Sequence, residues 1–140
     1  MIKSKTEKLT ENEVVILMRK HLETKGWKIV SSCLGQERGN DIVASMNGKT
    51  LVIEAKGAKA SDESSSKRRE QFSSGQIKNH FGKALVKILE QMSLHPDFEF
   101  GIARPNDRYL RKHTENLVPY LKKLDIKHFW VSEDEIIIED

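Results

Sequence analysis

Asp41, Glu54 and Lys56 are the residues of this 140-residue chain whose types and spacing could do chemistry. Asn47-Gly48 stands between two apolar-rich runs, residues 41–46 (DIVASM) and 50–56 (TLVIEAK), and Asn-Gly in that setting is the strongest short hairpin signal a sequence offers. With those two residues at the turn, cross-strand partners have numbers adding to 95. Ile42 then faces Ile53, Val43 faces Val52, Ala44 faces Leu51, and Asp41 faces Glu54. Two carboxylates would oppose each other with Cβ atoms about 4.5–5.5 Å apart. Strand alternation puts Lys56 on the face of Glu54. Like charges placed in this way destabilise a sheet, so something must compensate. A divalent cation bound by hard oxygen ligands is one candidate, and Lys56 supplies a positive charge at the same spot. The competing reading leaves Asp41 in the preceding loop and makes Glu54 and Lys56 a surface ion pair at a fraying strand end. Surface solvation does not explain why the apolar strand Leu51-Val52-Ile53 should end in both charges facing an aspartate.

These three residues need elements to hold them. Thr10 to Glu13 reads T-x-x-E, a capping box, and Val14, Leu17, Met18 and Leu22 follow at helical spacing until Gly26. Trp27, Ile29 and Val30 are β-formers suited to a first strand, and residues 34–40 read as a loop. The hairpin supplies strands two and three. Residues 58–74 hold six serines and seven charges, which predicts a mobile loop. Ile77, Phe81, Ala84, Leu85, Ile88 and Met92 then form the apolar stripe of a second helix, closed by His95-Pro96. A fourth strand over 98–103 ends at Pro105. A third helix runs over 107–124 with Pro119 positioned to split or kink it, and two last strands occupy 126–131 and 136–138. The order αβββαβαββ predicts one α/β domain over 1–140, a central mixed β-sheet flanked by helices.

Asp41, then Glu54-Ala55-Lys56 closing an apolar strand after a helix bearing Glu13, resembles the PD-(D/E)xK nuclease superfamily of restriction-endonuclease-like proteins. The resemblance spans most of the chain, from that helix and Gly26 through Gly39-Asn40-Asp41-Ile42 and Ile53 to Gly57, to the helix after the loop and the strand with Gly101-Ile102-Ala103. Asn40 stands where the eponymous proline would be, a residue dispensable in many members. The resemblance implies a restriction-endonuclease-like fold and metal-dependent hydrolysis of phosphodiester bonds in DNA. Asp41 and Glu54 would hold Mg²⁺ or Mn²⁺ with the Ala55 carbonyl as a further ligand. Lys56 would position or activate the attacking water and steady charge on the phosphate. Glu13 has two readings, a capping-box partner or the family's helix glutamate completing the metal's ligands, and one side chain cannot be both at once.

Gln76, His80, Lys83 and Lys87 form a narrow polar stripe on the second helix. It is either a solvated flank or, by the resemblance, the stripe that sends a catalytic glutamine to the site, with Gln76 the best match and Gln71 a weaker one. Lys83 and Lys87 would then meet backbone phosphates, as would Lys67, Arg68 and Arg69 in the loop. Residues 56–87 carry eight basic and three acidic side chains, a net of +5, which leaves −2 for the rest of a chain whose total is +3. A basic patch of this kind attracts the phosphate backbone without reading sequence.

Composition bounds the remaining choices. One cysteine excludes a disulfide framework and a multi-cysteine zinc site, and it suits a reducing cytoplasm. No apolar run approaches the ~20 residues that span a bilayer, and residues 35–39 lack the Lys-Ser/Thr of a phosphate-binding loop. By the resemblance DNA is the expected partner, without membrane or organic cofactor, and a homodimer would let two sites cut two strands. The rival expectation is a catalytically inactive nucleic-acid-binding or assembly module on the same scaffold.

Overall fold

In a computed structural model of the chain, the residues described are 8–34, 39–59 and 72–140. Helix α1, Glu11–Thr24, opens with the expected capping box: the Thr10 hydroxyl accepts from the Glu13 amide at 3.3 Å, and the Thr10 amide donates to Glu13 Oε1 at 2.9 Å. Strand β1 covers Lys28–Ser32, β2 Ile42–Met46 and β3 Lys49–Ala55. Between β2 and β3 the turn residues Asn47 and Gly48 have φ of 51° and 82°, the two positive values that a tight turn matched to strand twist requires. The ladder pairs Ile42 with Ile53, Val43 with Val52 and Ala44 with Leu51, the register read from the turn.

Helix α2, Ser74–Leu94, leads to β4, Glu99–Pro105, which lies parallel to β3. The next helical stretch is divided into α3, Arg108–Thr114, a 3-10 turn at Glu115–Leu117, and α4, Val118–Lys123. Pro119 sits in the first turn of α4, where its missing amide hydrogen would be unpaired in any case. Strand β5, Ile126–Val131, is parallel to β4, and β6, Ile137–Glu139, closes the sheet antiparallel to β5.

The sheet is open and mixed, in the order β1-β2-β3-β4-β5-β6, with helices on both faces. This is the expected α/β class and is consistent with a restriction-endonuclease-like fold. Val14, Val15, Met18 and Leu22 of α1 pack on one face, against Leu51, Ile53 and Ala55 of β3 and Phe129 of β5. Phe81, Ala84 and Ile88 of α2 pack on the other, with Leu121, Val52, Phe100 and Ile102. Alternation along β3 therefore turns Glu54, like Val52, toward α2. Among the described residues no helix is long and apolar enough to cross a membrane. The 58–74 loop falls largely outside the described residues, and its two ends are tied together by the Phe72 amide donating to the Ala58 carbonyl at 3.0 Å.

Candidate active site

The site forms where three chain segments meet at the end of β3. Gly57 follows immediately, and a Cβ there would lie 2.5 Å from the Glu11 backbone nitrogen and 2.8 Å from the Thr10 carbonyl carbon. Only glycine lets the first turn of α1 come down this closely. Ala58 then donates to the Leu9 carbonyl at 2.8 Å, and the Lys56 amide donates to the Ala103 carbonyl at 3.0 Å. The chain thus runs on beside β4 after β3 formally ends, and Lys56 is held at the same sheet edge as the first turn of α1.

Asp41 lies one residue before β2, so it is outside the ladder that would have set it directly opposite Glu54. Its Oδ2 instead accepts from the Ala55 amide at 2.8 Å. That bond draws the carboxyl across to β3, close enough for its charge to act on Glu54. The expected juxtaposition of the two acids is reached by this side-chain route.

Glu54 is 3% exposed, and its Oε1 is buried with no aligned hydrogen-bond donor. The Lys87 ammonium is 3.1 Å from that oxygen, an ion pair by distance but off the direction of a hydrogen bond. Lys87 also donates to the Gly39 carbonyl at 2.9 Å. Burial, and then the charge of Asp41, push the Glu54 carboxyl up to about 7, against the pull of Lys87 and Lys56. Burial also raises Asp41, although the Ala55 amide and both lysines oppose it. Burying a carboxylate costs several kcal/mol, more than a half-exposed ammonium returns. The pair accordingly keeps a proton toward neutral pH.

Lys56 is not the partner of Glu54. Its Nζ lies 3.9 Å from Glu11 Oε1, so the surface ion pair of the competing sequence reading is not formed. Glu11, in the first turn of α1, is raised by burial and then by Asp41, and lowered by Lys56 and Lys87. It is the helix carboxylate that senses the site. Glu13, the sequence candidate, has its Oε1 engaged by the Thr10 amide. The signal for this was in the sequence: a capping box engages the glutamate at its third position and leaves the one at its first position available.

Gln76 has a similar fate. Its Oε1 accepts from the Ser73 amide at 2.8 Å and its own amide donates to the Ser73 hydroxyl at 3.2 Å, a second capping box. That carboxamide oxygen is committed to its own helix end. His80, one turn on, stacks edge-on against Phe72 and is lowered by burial and then by Lys56 and Lys83. Lys83 and Lys87 line a shallow groove of about 520 Å³ on the outer side of α2, together with Lys78, Asn79, Gly82 and Val86. Gln71, Lys67, Arg68 and Arg69 lie outside the described residues.

The donor set suits a particular kind of ion. The site offers hard carboxylate oxygens, one of them buried without an aligned donor. Among the described residues no three His, Cys, Asp or Glu side chains converge closely enough to cage a metal. Mg²⁺ is bound in this way, by one or two carboxylates with waters and substrate phosphate completing its shell. As hard oxygen donors, Asp41 and Glu54 would suit Mg²⁺ or Mn²⁺.

No family model matches the chain, and no curated protein sequence does so either. Two solved structures resemble it. One is a fdxN element excision controlling factor protein from Anabaena variabilis, 18% identical with a TM-score of 0.56, the match covering 89% of this chain and 95% of that one. The other is a XisH family protein from Nostoc punctiforme, 19% identical with a TM-score of 0.56 and the same coverage. At these identities the likeness is one of fold.

Proposed function

We propose that this chain is a divalent-metal-dependent nuclease that hydrolyses phosphodiester bonds in DNA. The observation that carries the proposal is the convergence of Asp41 and Glu54 at the end of β3, with a buried carboxylate oxygen left without an aligned donor. Asp41 and Glu54 would hold Mg²⁺ or Mn²⁺, with the Ala55 carbonyl beside them. The ion would supply Lewis acidity to a phosphoryl oxygen and acidify an attacking water. Lys56 is 22% exposed and tethered only loosely, at 3.9 Å, to Glu11. Its ammonium can turn to an incoming phosphate and stabilise the charge that develops there, an effect that preorganised cations exert most strongly where water is excluded. Glu11 is a positioning residue for that lysine. The lysines along α2 would attract the backbone of the substrate without selecting its sequence.

The direct test is nicking of supercoiled plasmid by the purified chain with Mg²⁺ or Mn²⁺, compared with single-stranded, flap and four-way DNA. Cleavage by wild type and undiminished cleavage by a folded Lys56→Ala protein would remove the assignment of that lysine. No cleavage of any substrate would favour a second reading, a nucleic-acid-binding or assembly module without chemistry. Two observations speak for that second reading. Glu54 is already paired with Lys87, and one structural neighbour is named as a controlling factor of an element's excision. Under this reading DNA binding persists, falls steeply with salt, and is indifferent to Glu54→Ala.

A further inference from the structure

We infer that Lys87 is an internal counter-ion that competes with the divalent cation for Glu54, and that ion binding drives its ammonium off the carboxylate into the groove of α2. The inference rests on reading Asp41 and Glu54 as metal ligands. Lys87 Nζ contacts two oxygens of different origin, Glu54 Oε1 at 3.1 Å and the Gly39 carbonyl at 2.9 Å. A carboxylate and a carbonyl oxygen are what a hard cation collects, so the ammonium brings one positive charge to a place where Mg²⁺ or Mn²⁺ would bring two. Both cations would draw on the same carboxylate oxygen, and their like charges repel more strongly in a buried setting than in water, so the two compete for it.

The geometry also provides an exit. The contact with Glu54 is an ion pair and not an aligned hydrogen bond. The Lys87 side chain is 40% exposed, while Glu54 beneath it is 3% exposed. Lys87 lines the outer groove beside Lys83, and a flexible four-carbon stem can carry its ammonium there without moving the helix. Lys56 differs, since among the described residues its ion-pair partner is Glu11 on the rim. The two lysines thus divide the work: Lys56 stays by the reacting phosphate, and Lys87 neutralises the carboxylates until metal arrives, then adds its charge to the groove.

The test uses Mn²⁺ alone as the probe and the full chain as the protein. Calorimetric titration compares wild type with Lys87→Met, a variant that keeps the stem and removes the charge. In parallel, trace acetylation of wild type with and without Mn²⁺ is read lysine by lysine by mass spectrometry. The expected results are Mn²⁺ binding about tenfold tighter in Lys87→Met, and a several-fold rise in Lys87 acetylation on adding Mn²⁺ to wild type with Lys83 unchanged. Wild-type binding as tight as that of a folded Lys87→Met, or tighter, overturns the counter-ion role and leaves the metal reading intact. No binding in either protein, with Glu54→Gln indistinguishable from both, overturns the metal reading and this inference with it. Should Lys87→Met fail to fold, the labelling decides: Mn²⁺ that protects Lys87, or leaves it unchanged, overturns the proposal.

Discussion

Two clusters of buried charge lie on the same face of the sheet and are built in opposite ways. At the end of β3, Asp41 and Glu54 are acids neutralised by a lysine that is itself half in solvent. On the neighbouring strands, Arg104 of β4 is 1% exposed and donates from Nε to His128 Nε2 at 2.9 Å and from Nη1 to the Thr114 hydroxyl at 2.7 Å. Its guanidinium lies 4.3 Å from the Phe81 ring and 4.8 Å from that of Trp130. Among the described residues no carboxylate pairs with it, and Arg104 Nη2 and His128 Nδ1 have no hydrogen-bond partner. Burial pushes Arg104 down to about 9, still charged at neutral pH, and burial, then Arg104 and Arg111, push His128 down to about 2. The imidazole is therefore a neutral acceptor, and aromatic faces take the place of an anion. The difference teaches how to separate a site from a scaffold. Buried charge and displaced pKa occur in both clusters, but only the carboxylates have an exchangeable counter-ion and a route to solvent.

The largest expected effect breaks the comparison on activity. Lys56→Ala should reduce Mg²⁺-dependent plasmid nicking by about 10²–10³-fold with little change in melting temperature, whereas Arg104→Met should leave nicking within a few-fold of wild type. Nicking assays on the two purified proteins, with melting curves alongside, check this pair of outcomes.

Stability should show the reverse order. Arg104→Ala removes a stacked side chain from between Phe81 and Trp130 and strips a donor from both His128 and Thr114, so urea unfolding should show a loss of about 3 kcal/mol. Arg104→Met keeps most of the packing and should lose about 1 kcal/mol, since replacing a buried charge by an apolar group is often close to neutral. Equal losses from the two variants would mean that the charge, and not the packing, holds this region together.

The clusters should also pull stability in opposite directions with pH. Glu54 is raised from its ordinary 4.5 to about 7, so between those values the folded state binds more protons than the unfolded one. Its contribution is complete below pH 4.5 and is lost as pH rises through 7. His128 is lowered from 6.5 to about 2, so its contribution is present above pH 6.5 and is lost as pH falls below it. Wild type combines the two slopes, and variants separate them. Without metal, Glu54→Gln should gain on wild type by about 1–3 kcal/mol between pH 5 and 7.5, as read by urea unfolding at the two pH values. Saturating Mn²⁺ should cancel most of that gain by stabilising the ionised wild-type site.

The smallest effects sharpen the assignment within α1. Glu13→Ala should cost about 0.5–1 kcal/mol of stability through the lost cap and leave Mn²⁺ affinity unchanged. Glu11→Gln should change Mn²⁺ affinity by about two- to threefold while stability stays within about 0.5 kcal/mol. Thermal melts and calorimetry of the two variants distinguish a cap from a rim carboxylate.

Much of the scaffold was legible in the sequence because its causes are local. Asn47-Gly48 determined the hairpin register, Thr10 and Glu13 the start of α1, and Pro119 the break before α4, each through hydrogen bonds or steric limits spanning a few residues. The nearness of Asp41 to Glu54 was legible from the hairpin register, but the ladder stops at the Ile42–Ile53 pair and Asp41 reaches β3 through the Ala55 amide instead. The roles of the remaining charges were not. For Glu13 the sequence left cap and ligand open and the structure uses it as the cap, Gln76 caps α2, and Glu11 is the helix carboxylate that feels Asp41 and Lys56.

The sequence by itself determined which elements form, where the hairpin turns, and that two acids and a lysine gather at one strand end. Only the tertiary structure decided which cation meets which acid. Lys87 is 33 residues from Glu54 in sequence and 3.1 Å from it in space, a contact set by the packing of α2 on the sheet. Arg104 meets His128 only through the parallel register of β4 and β5. The physical reason is range: hydrogen-bonded turns and caps are settled between near neighbours, whereas the state of a charge depends on burial and on every other charge that folding brings within a few ångströms.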